Sequence, residues 1–273
     1  MNALIFAAGL GTRLKPLTDT MPKALVPVNG KPLVQILIER LKCIGVTEVV
    51  INVHHFAQQI IDYVEDNDSF GINIHFSDET SMLLETGGGL KKASRLFSND
   101  EPILVHNVDI LSNADLQALY AQPATTLLVS ARHTQRYLLF SHTNRLVGWV
   151  NIATGQVKSP FPEIKALDCE GHPDLLPLNR ENLTVSLDSL PSTHFPQPST
   201  LHLYAFSGIQ VFHPSLLPLM DAWEGKFSII DFYLSICNQV AIYALPDARL
   251  HLLDVGKLDT IAKAEAFVEN ENW

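Results

Sequence analysis

Residues 3–18 read Ala-Leu-Ile-Phe-Ala-Ala-Gly-Leu-Gly-Thr-Arg-Leu-Lys-Pro-Leu-Thr. The opening ALIFA (3–7) is a short unbroken apolar run, the pattern of a central strand covered on both faces. The loop that follows, residues 7–13, is built from alanine and glycine up to Gly11, broken only by Leu10. Such residues let the backbone turn sharply and approach a ligand closely, and successive N–H groups in the turn form a concavity for anions. Arg13, and Lys23 in the Met-Pro-Lys-Ala-Leu stretch 21–25, add two cations able to pair with phosphate oxygens. A Gly-rich turn alone can be a mere connector from strand to helix; the two cations argue against that.

Outward from this loop the chain alternates. Pro32 stands where a helix should begin, and Leu33, Ile36, Leu37, Leu41 and Ile44 recur at helical spacing until Gly45. Strands are expected at 48–53, 72–76 and 102–108, with helices at 56–66 and 87–97. Such alternation implies βαβ units and a mostly parallel sheet. After about residue 124 the runs 126–131, 136–140 and 145–150 suggest a small antiparallel insertion. Residues 159–200 hold seven of the sixteen prolines and read as a long surface excursion. Strand and helix return from 201, with strands near 240–245 and 250–254 and a last helix from 257. The expected fold is α/β, Rossmann-like, with a mixed, mostly parallel sheet and helices on both faces. Residues 1–273 are expected to form one domain, 1–124 its first half and 125–273 its second.

Composition bounds the partners. Of 273 residues, 47% are apolar, enough for a large core. The balance of 19 basic to 29 acidic residues, −10 overall, disfavours a polyanion such as nucleic acid, while a local pocket can still take a nucleotide. Cys43, Cys169 and Cys237 show no CxxC spacing, which points away from zinc and disulfides and toward a reducing cytoplasm. Cys43 lies in an apolar helical pattern and is expected in the core. The N-terminus lacks a basic n-region and its apolar run stops at Gly9, so it reads as a strand rather than a signal peptide. No membrane segment is expected. The association state is left as monomer or small homo-oligomer.

Two familiar nucleotide loops fail. In GxGxxG terms Gly9 and Gly11 fit, but the third position is Leu14, and the second strand ends at Asn52-Val53-His54 with no carboxylate for a ribose. A GxxxxGK[ST] loop is absent. Instead AAGLGTRLKPLT (7–18), PKALVPV (22–28) and GKP (30–32) resemble the opening signature of the sugar-1-phosphate nucleotidyltransferases. The resemblance continues at ETGGGL (85–90), Asn107-Val108-Asp109, Phe206-Ser207-Gly208-Ile209 and Asp254-Val255-Gly256. In form it looks most like the N-acetylmuramate-1-phosphate uridylyltransferases and the small mannose-1-phosphate guanylyltransferases. It implies a nucleotide-diphospho-sugar transferase fold. It also implies a reaction, in which a sugar-1-phosphate attacks the α-phosphorus of a nucleoside triphosphate and pyrophosphate leaves.

The resemblance assigns site residues. Asp109 and Asp254, each ending an apolar run, would hold Mg²⁺; a parallel sheet is expected to bring them together, and a strand-end cap is the plainer alternative for each. Arg13, Lys23 and Asp109 are the catalytic candidates. Ala7, Ala8, Gly9, Gly11, Thr12 and Arg13 would cradle phosphates. Glu85, Gly87 and Gly88 would face the base, and Asn107 is added to the nucleotide set. Asn52 could read a base edge or simply bind the loop backbone. Gly208 and Asn151 are candidates on the sugar side, Asn151 with a turn-starting role as its alternative. His54-His55 lacks a third ligand, and His106 is left between lining the pocket and facing a helix. Val108 stands where the resembled family has glycine, which opens the choice of nucleotide. The leading pair is UTP with N-acetylmuramate-1-phosphate or a related amino sugar. GTP with mannose-1-phosphate, another hexose-1-phosphate, and a non-catalytic sugar-nucleotide sensor are the alternatives.

Overall fold

A computed structural model describes residues 1–187 and 200–270. The chain divides into two compact units, one of residues 1–121, 208–229 and 250 onward, the other of 122–207 and 230–249.

The first unit is built on a sheet in which Ile103–Asn107, Asn2–Phe6, Glu48–Val53 and Asn73–Asp78 lie side by side and parallel. Residues 209–212 of the Thr200–Phe212 strand add an antiparallel neighbour to Ile103–Asn107. Apolar runs explain the centre. Leu4, Ile5, Val49, Val50, Ile51 and Leu104 are wholly buried, and each such side chain contributes about 1.5–3 kcal/mol. Leu33–Cys43 follows Pro32 and buries Leu33, Val34, Ile36, Leu37, Ile38 and Leu41. Gly45, at φ +92°, ends the helix by donating to Lys42. Cys43 corrects its core expectation: it is exposed. Two residues past Leu41 is roughly 200° around a helix, on the opposite side from the apolar stripe. Ala57–Asp66 buries Ile60 and Val64, and Glu85–Ala93 packs on Asn2–Phe6, Glu48–Val53 and Asn73–Asp78.

The chain runs from Asn2–Phe6 outward to Glu48–Val53 and Asn73–Asp78, then returns to the other side of Asn2–Phe6 as Ile103–Asn107. The order therefore reverses between Asn2–Phe6 and Ile103–Asn107. Crevices for ligands form outside the carboxyl ends of strands at such a reversal. The residues that emerge there are Ala7–Gly9 and Val108–Asp109.

The second unit holds the antiparallel strands Gln156–Lys158, Leu146–Asn151, Arg136–Phe140 and the 202–204 part of Thr200–Phe212. Thr126–Ser130, expected in the antiparallel set, pairs in parallel with Tyr243–Pro246. The 159–200 excursion is folded through residue 187. It includes the short helix Pro162–Lys165 and the strand Thr184–Ser186, with Ile164, Val185 and Leu187 buried. Pro191, Pro196 and Pro198 lie outside the described residues. The halves 1–124 and 125–273 are also redrawn. The first crossing falls near 124, but 208–229 and the segment from 250 return to the first unit through strand pairing.

Candidate active site

One cavity of the first unit is lined by that unit's residues alone. The cavity is about 250 Å³ and is bordered by Ala7, Ala8 and Gly9 of the loop, by Lys23 and Asn52, and by Val108 and Asp109. Glu85 and Thr86 close the far rim.

The loop folds as its sequence requires. Gly11 sits at φ +62°, and a Cβ there would come within 2.8 Å of Thr18 Cγ2 and 3.2 Å of Lys23 Cβ. The Thr18 hydroxyl donates to the Gly11 carbonyl at 2.8 Å. Glycine thus lets the chain close onto Thr18 and Lys23. Thr12 and Arg13 then form an exposed 3₁₀ turn, Thr12–Leu14, anchored by buried Leu14. The anion-binding expectation changes in detail. The Ala7 and Ala8 amides donate to Asn52 Oδ1 at 2.6 and 3.2 Å. Among the described residues nothing in the chain accepts from the amides of Gly9, Leu10 and Gly11. Asn52 therefore takes the backbone-binding role of its two alternatives.

Lys23 leaves a 3₁₀ turn, Lys23–Leu25, behind the extended Pro22, and only 9% of its side chain is exposed. Its ammonium donates to Asp109 Oδ2 and lies 3.9 Å from Asp254 Oδ1. Arg13 Nη2 is 3.8 Å from Asp254 Oδ2. The two aspartates do meet, but not through the parallel sheet. Ile110–Ser112 and Leu252–Asp254 form a separate antiparallel ribbon that sets Asp254 opposite Ile110. The Val255 amide closes it by donating to the Asp109 carbonyl at 2.8 Å. Gly256 keeps the corner open, since a Cβ there would lie 2.6 Å from Asp254 Oδ1 and 2.8 Å from Arg13 Nη2.

Two carboxylates that converge on one cation, here the Lys23 ammonium, form a position where positive charge is stable. No group of three or more His, Cys, Asp or Glu residues placed to hold a metal ion is found among the described residues. An incomplete, all-oxygen donor pair suits Mg²⁺, which keeps waters and takes phosphate oxygens to fill its shell.

The remaining assignments separate. Asn107 lines the cavity, and Gly208, at φ +80°, passes so close that a Cβ would lie 2.7 Å from Asn107 Nδ2. Glu85 stands on the rim at φ +59°, its carboxylate 3.2 Å from Lys226. Gly87 and Gly88 do not line the cavity. A Cβ on Gly87 would fall 2.4 Å from the Phe227 ring, and one on Gly88 2.3 Å from the Gly225 carbonyl. Close packing, not room for a flat base, is the structural reason for these two glycines. Asn151 belongs to the second unit and starts a turn, its side chain accepting from Ala153. His106 is buried and donates through Nδ1 to the Asn107 carbonyl at 2.8 Å; burial pushes its imidazole down to about 4. Glu79, Leu83 and Thr86 line the cavity without having been singled out. Glu79 follows a strand end, as Asp109 does, and that signal could have found it.

A cavity at the reversal point of a parallel sheet, with two cations and a carboxylate pair beside it, lies where open α/β sheets bind ligands. Residues 2–127 match the family model described as nucleotidyl transferase. Over 127 residues the chain is 45% identical to N-acetylmuramate alpha-1-phosphate uridylyltransferase of Neisseria meningitidis serogroup B, covering 46% of this chain and 54% of that protein. It is 40% identical over 123 residues to mannose-1-phosphate guanyltransferase of Gibberella zeae, covering 44% of this chain and 34% of that protein. The matched region thus spans about half or less of these relatives' length. The fold is similar to the crystal structure of HddC from Yersinia pseudotuberculosis complexed with GMP-PN, with a TM-score of 0.65 at 20% identity over 97% of this chain and 98% of that one.

Proposed function

We propose that the chain joins a nucleoside triphosphate to a sugar-1-phosphate, forming an NDP-sugar and releasing pyrophosphate. The observation that carries this is the convergence of Arg13, Lys23, Asp109 and Asp254 beside the loop cavity at the sheet's reversal point. The sugar-phosphate oxygen attacks the α-phosphorus in line and the pyrophosphate departs, a transfer governed by positioning and charge neutralisation. Arg13 and the amides of Gly9, Leu10 and Gly11 hold the β- and γ-phosphates. Lys23 meets the α-phosphate or the sugar phosphate. Asn107 and the backbone at Gly208 border the nucleoside and sugar ends. Asp109 and Asp254 would hold Mg²⁺, which supplies charge neutralisation at the reacting phosphates. Val108, buried on the cavity wall, narrows the ribose side.

UTP with N-acetylmuramate-1-phosphate is the preferred pair, on the 45% identity to the Neisseria uridylyltransferase. GTP with mannose-1-phosphate is second, on the 40% identity to the Gibberella guanyltransferase. The test is a matrix of nucleoside triphosphates against sugar-1-phosphates with Mg²⁺, scored by pyrophosphate release. Turnover is expected with UTP, and Asp109→Asn and Asp254→Asn each lower it by about 10²-fold or more while the fold persists. A folded protein with no turnover in any pairing would favour the sensor reading. Near-normal rates in both variants would end the metal assignment.

A further inference from the structure

Glu79 is a fully buried carboxylate on the cavity wall. Its Oε1 accepts from Asn52 Nδ2 at 2.8 Å, and its Oε2 accepts from the Leu84 amide at 2.9 Å. Asn52, itself buried, turns its Oδ1 to the Ala7 and Ala8 amides. A single polar chain therefore runs from the loop of residues 7–13, through Asn52 and Glu79, to the start of the rim that carries Glu85 and Thr86. Gly89 makes room for it, since a Cβ there would come within 2.8 Å of Glu79 Oε1 and 3.3 Å of Asn52 Nδ2.

An ionised carboxylate only accepts hydrogen bonds, whereas an asparagine amide donates from one end and accepts at the other. A carboxylate on one side of Asn52 thus decides which end meets the loop. With Nδ2 held by Glu79, Oδ1 must face Ala7 and Ala8, the orientation in which those two donors are satisfied. Reversing the amide would set Nδ2 against two N–H groups in a buried site, leaving donors unpaired at roughly 1–3 kcal/mol each.

We propose that Glu79 is a positioning residue of this pocket: by orienting the Asn52 amide and holding the Leu84 amide, it fixes the phosphate loop and the opposite rim in one register. This rests on the reading of the cavity as a nucleotide site. Glu79 touches no reacting atom in this scheme; it acts on triphosphate placement, so it governs the KM for the nucleotide and not that for the sugar-1-phosphate.

The donor and acceptor polarity of the Asn52–Glu79 pair can be reversed by exchange. Glu79→Gln presents an amide that can keep Leu84 only by turning its –NH₂ toward Asn52, a donor against a donor. Asn52→Asp sets two carboxylates together. The double swap Asn52→Asp/Glu79→Gln restores every bond: the introduced aspartate accepts from Ala7, Ala8 and the introduced glutamine, and that glutamine accepts from Leu84. Each single variant is expected to raise the UTP KM, and the calorimetric Kd for UTP with Mg²⁺, by about tenfold, the loss of one net hydrogen bond. The double variant returns to within about threefold of wild type. Amide exchange at Ala7, Ala8 and Leu84 accelerates in the singles and recovers in the double. Wild-type UTP affinity and exchange in Glu79→Gln, or a double variant no better than the singles, overturns the proposal. If Glu79→Gln does not fold, the double variant decides: folding with UTP affinity restored supports the polarity argument, and failure refutes it. A wild type that binds no UTP refutes the nucleotide reading instead, and the exchange data still judge the network.

Discussion

His106 shows at single-residue scale how burial sets chemistry. It stands on the central strand Ile103–Asn107, wholly buried, with its Nδ1 on the Asn107 carbonyl. Burial is the main cause of its depressed pKa, about 4, with the Arg40 charge adding to it, while the Asn107 carbonyl and Asp109 act the other way. The sign follows from linkage. An unfolded histidine takes up a proton as pH falls through about 6.5, whereas the folded one resists until about 4. Stability is therefore lost between those values, amounting to about 2 kcal/mol by pH 5. Urea unfolding at pH 7 and pH 5 should show a fall in wild type that is smaller by this amount in His106→Gln. An identical pH dependence in the two proteins would remove His106 from the account. The catalytic candidates were more legible than this histidine. Arg13, Lys23, Asp109 and Asp254 announce themselves as charges beside apolar strands and glycine turns, because charge in such places is costly unless used. Glu79 was not seen, since its value lies in the Asn52 amide it orients, and that partner is 27 residues away.

At the scale of elements, the strands and helices of the first 120 residues were readable because their periodicity is strong and their neighbours are near in sequence. The glycines of Glu85–Ala93 were readable as special but not as to why. All three face something the sequence could not place: Phe227 for Gly87, Gly225 for Gly88 and Glu79 for Gly89. The Phe227 carbonyl also accepts from the Gly87 and Gly88 amides, at 2.9 and 3.3 Å. Helix propensity and packing now make opposite claims about Gly88→Ala. Alanine in a helix interior is favoured over glycine by about 1 kcal/mol. A new Cβ at 2.3 Å from the Gly225 carbonyl, a backbone atom, must instead move the helix or the 225–227 segment, and overpacking of this kind costs about 1–3 kcal/mol. The helix cannot yield easily, since Leu90 and Ala93 are wholly buried beneath it. Gly88→Ala is expected to lower stability by about 1–2 kcal/mol in chemical denaturation. A stabilised variant would mean that the 225–227 segment gives way freely.

At the scale of the whole molecule, the sequence signal and the folded unit have different extents. The family match ends at residue 127, and the change in pattern near 124 marks the first crossing out of the unit, at 121. The pattern marks strands from 201 and near 250–254 but not which unit they join; the returns at 208 and 250 are made by pairing between distant strands. Residues 209–212 cover the edge of Ile103–Asn107, Phe227 closes on Gly87, and Leu252–Asp254 pairs with Ile110–Ser112 and delivers Asp254 beside Lys23. A fragment ending at 124 would thus expose the edge of a central parallel strand, a template for aggregation. It would also leave two helical amides without their acceptor and lose one of the two carboxylates. The full chain is expected to unfold cooperatively by circular dichroism and to bind UTP with Mg²⁺. The 1–124 fragment is expected to show no cooperative transition and no UTP binding at the same concentrations. Should the fragment unfold cooperatively and bind UTP, the segments at 208–229 and beyond 250 would be additions to a self-sufficient nucleotide half, and the unit would have to be drawn at the boundary where the sequence pattern changes.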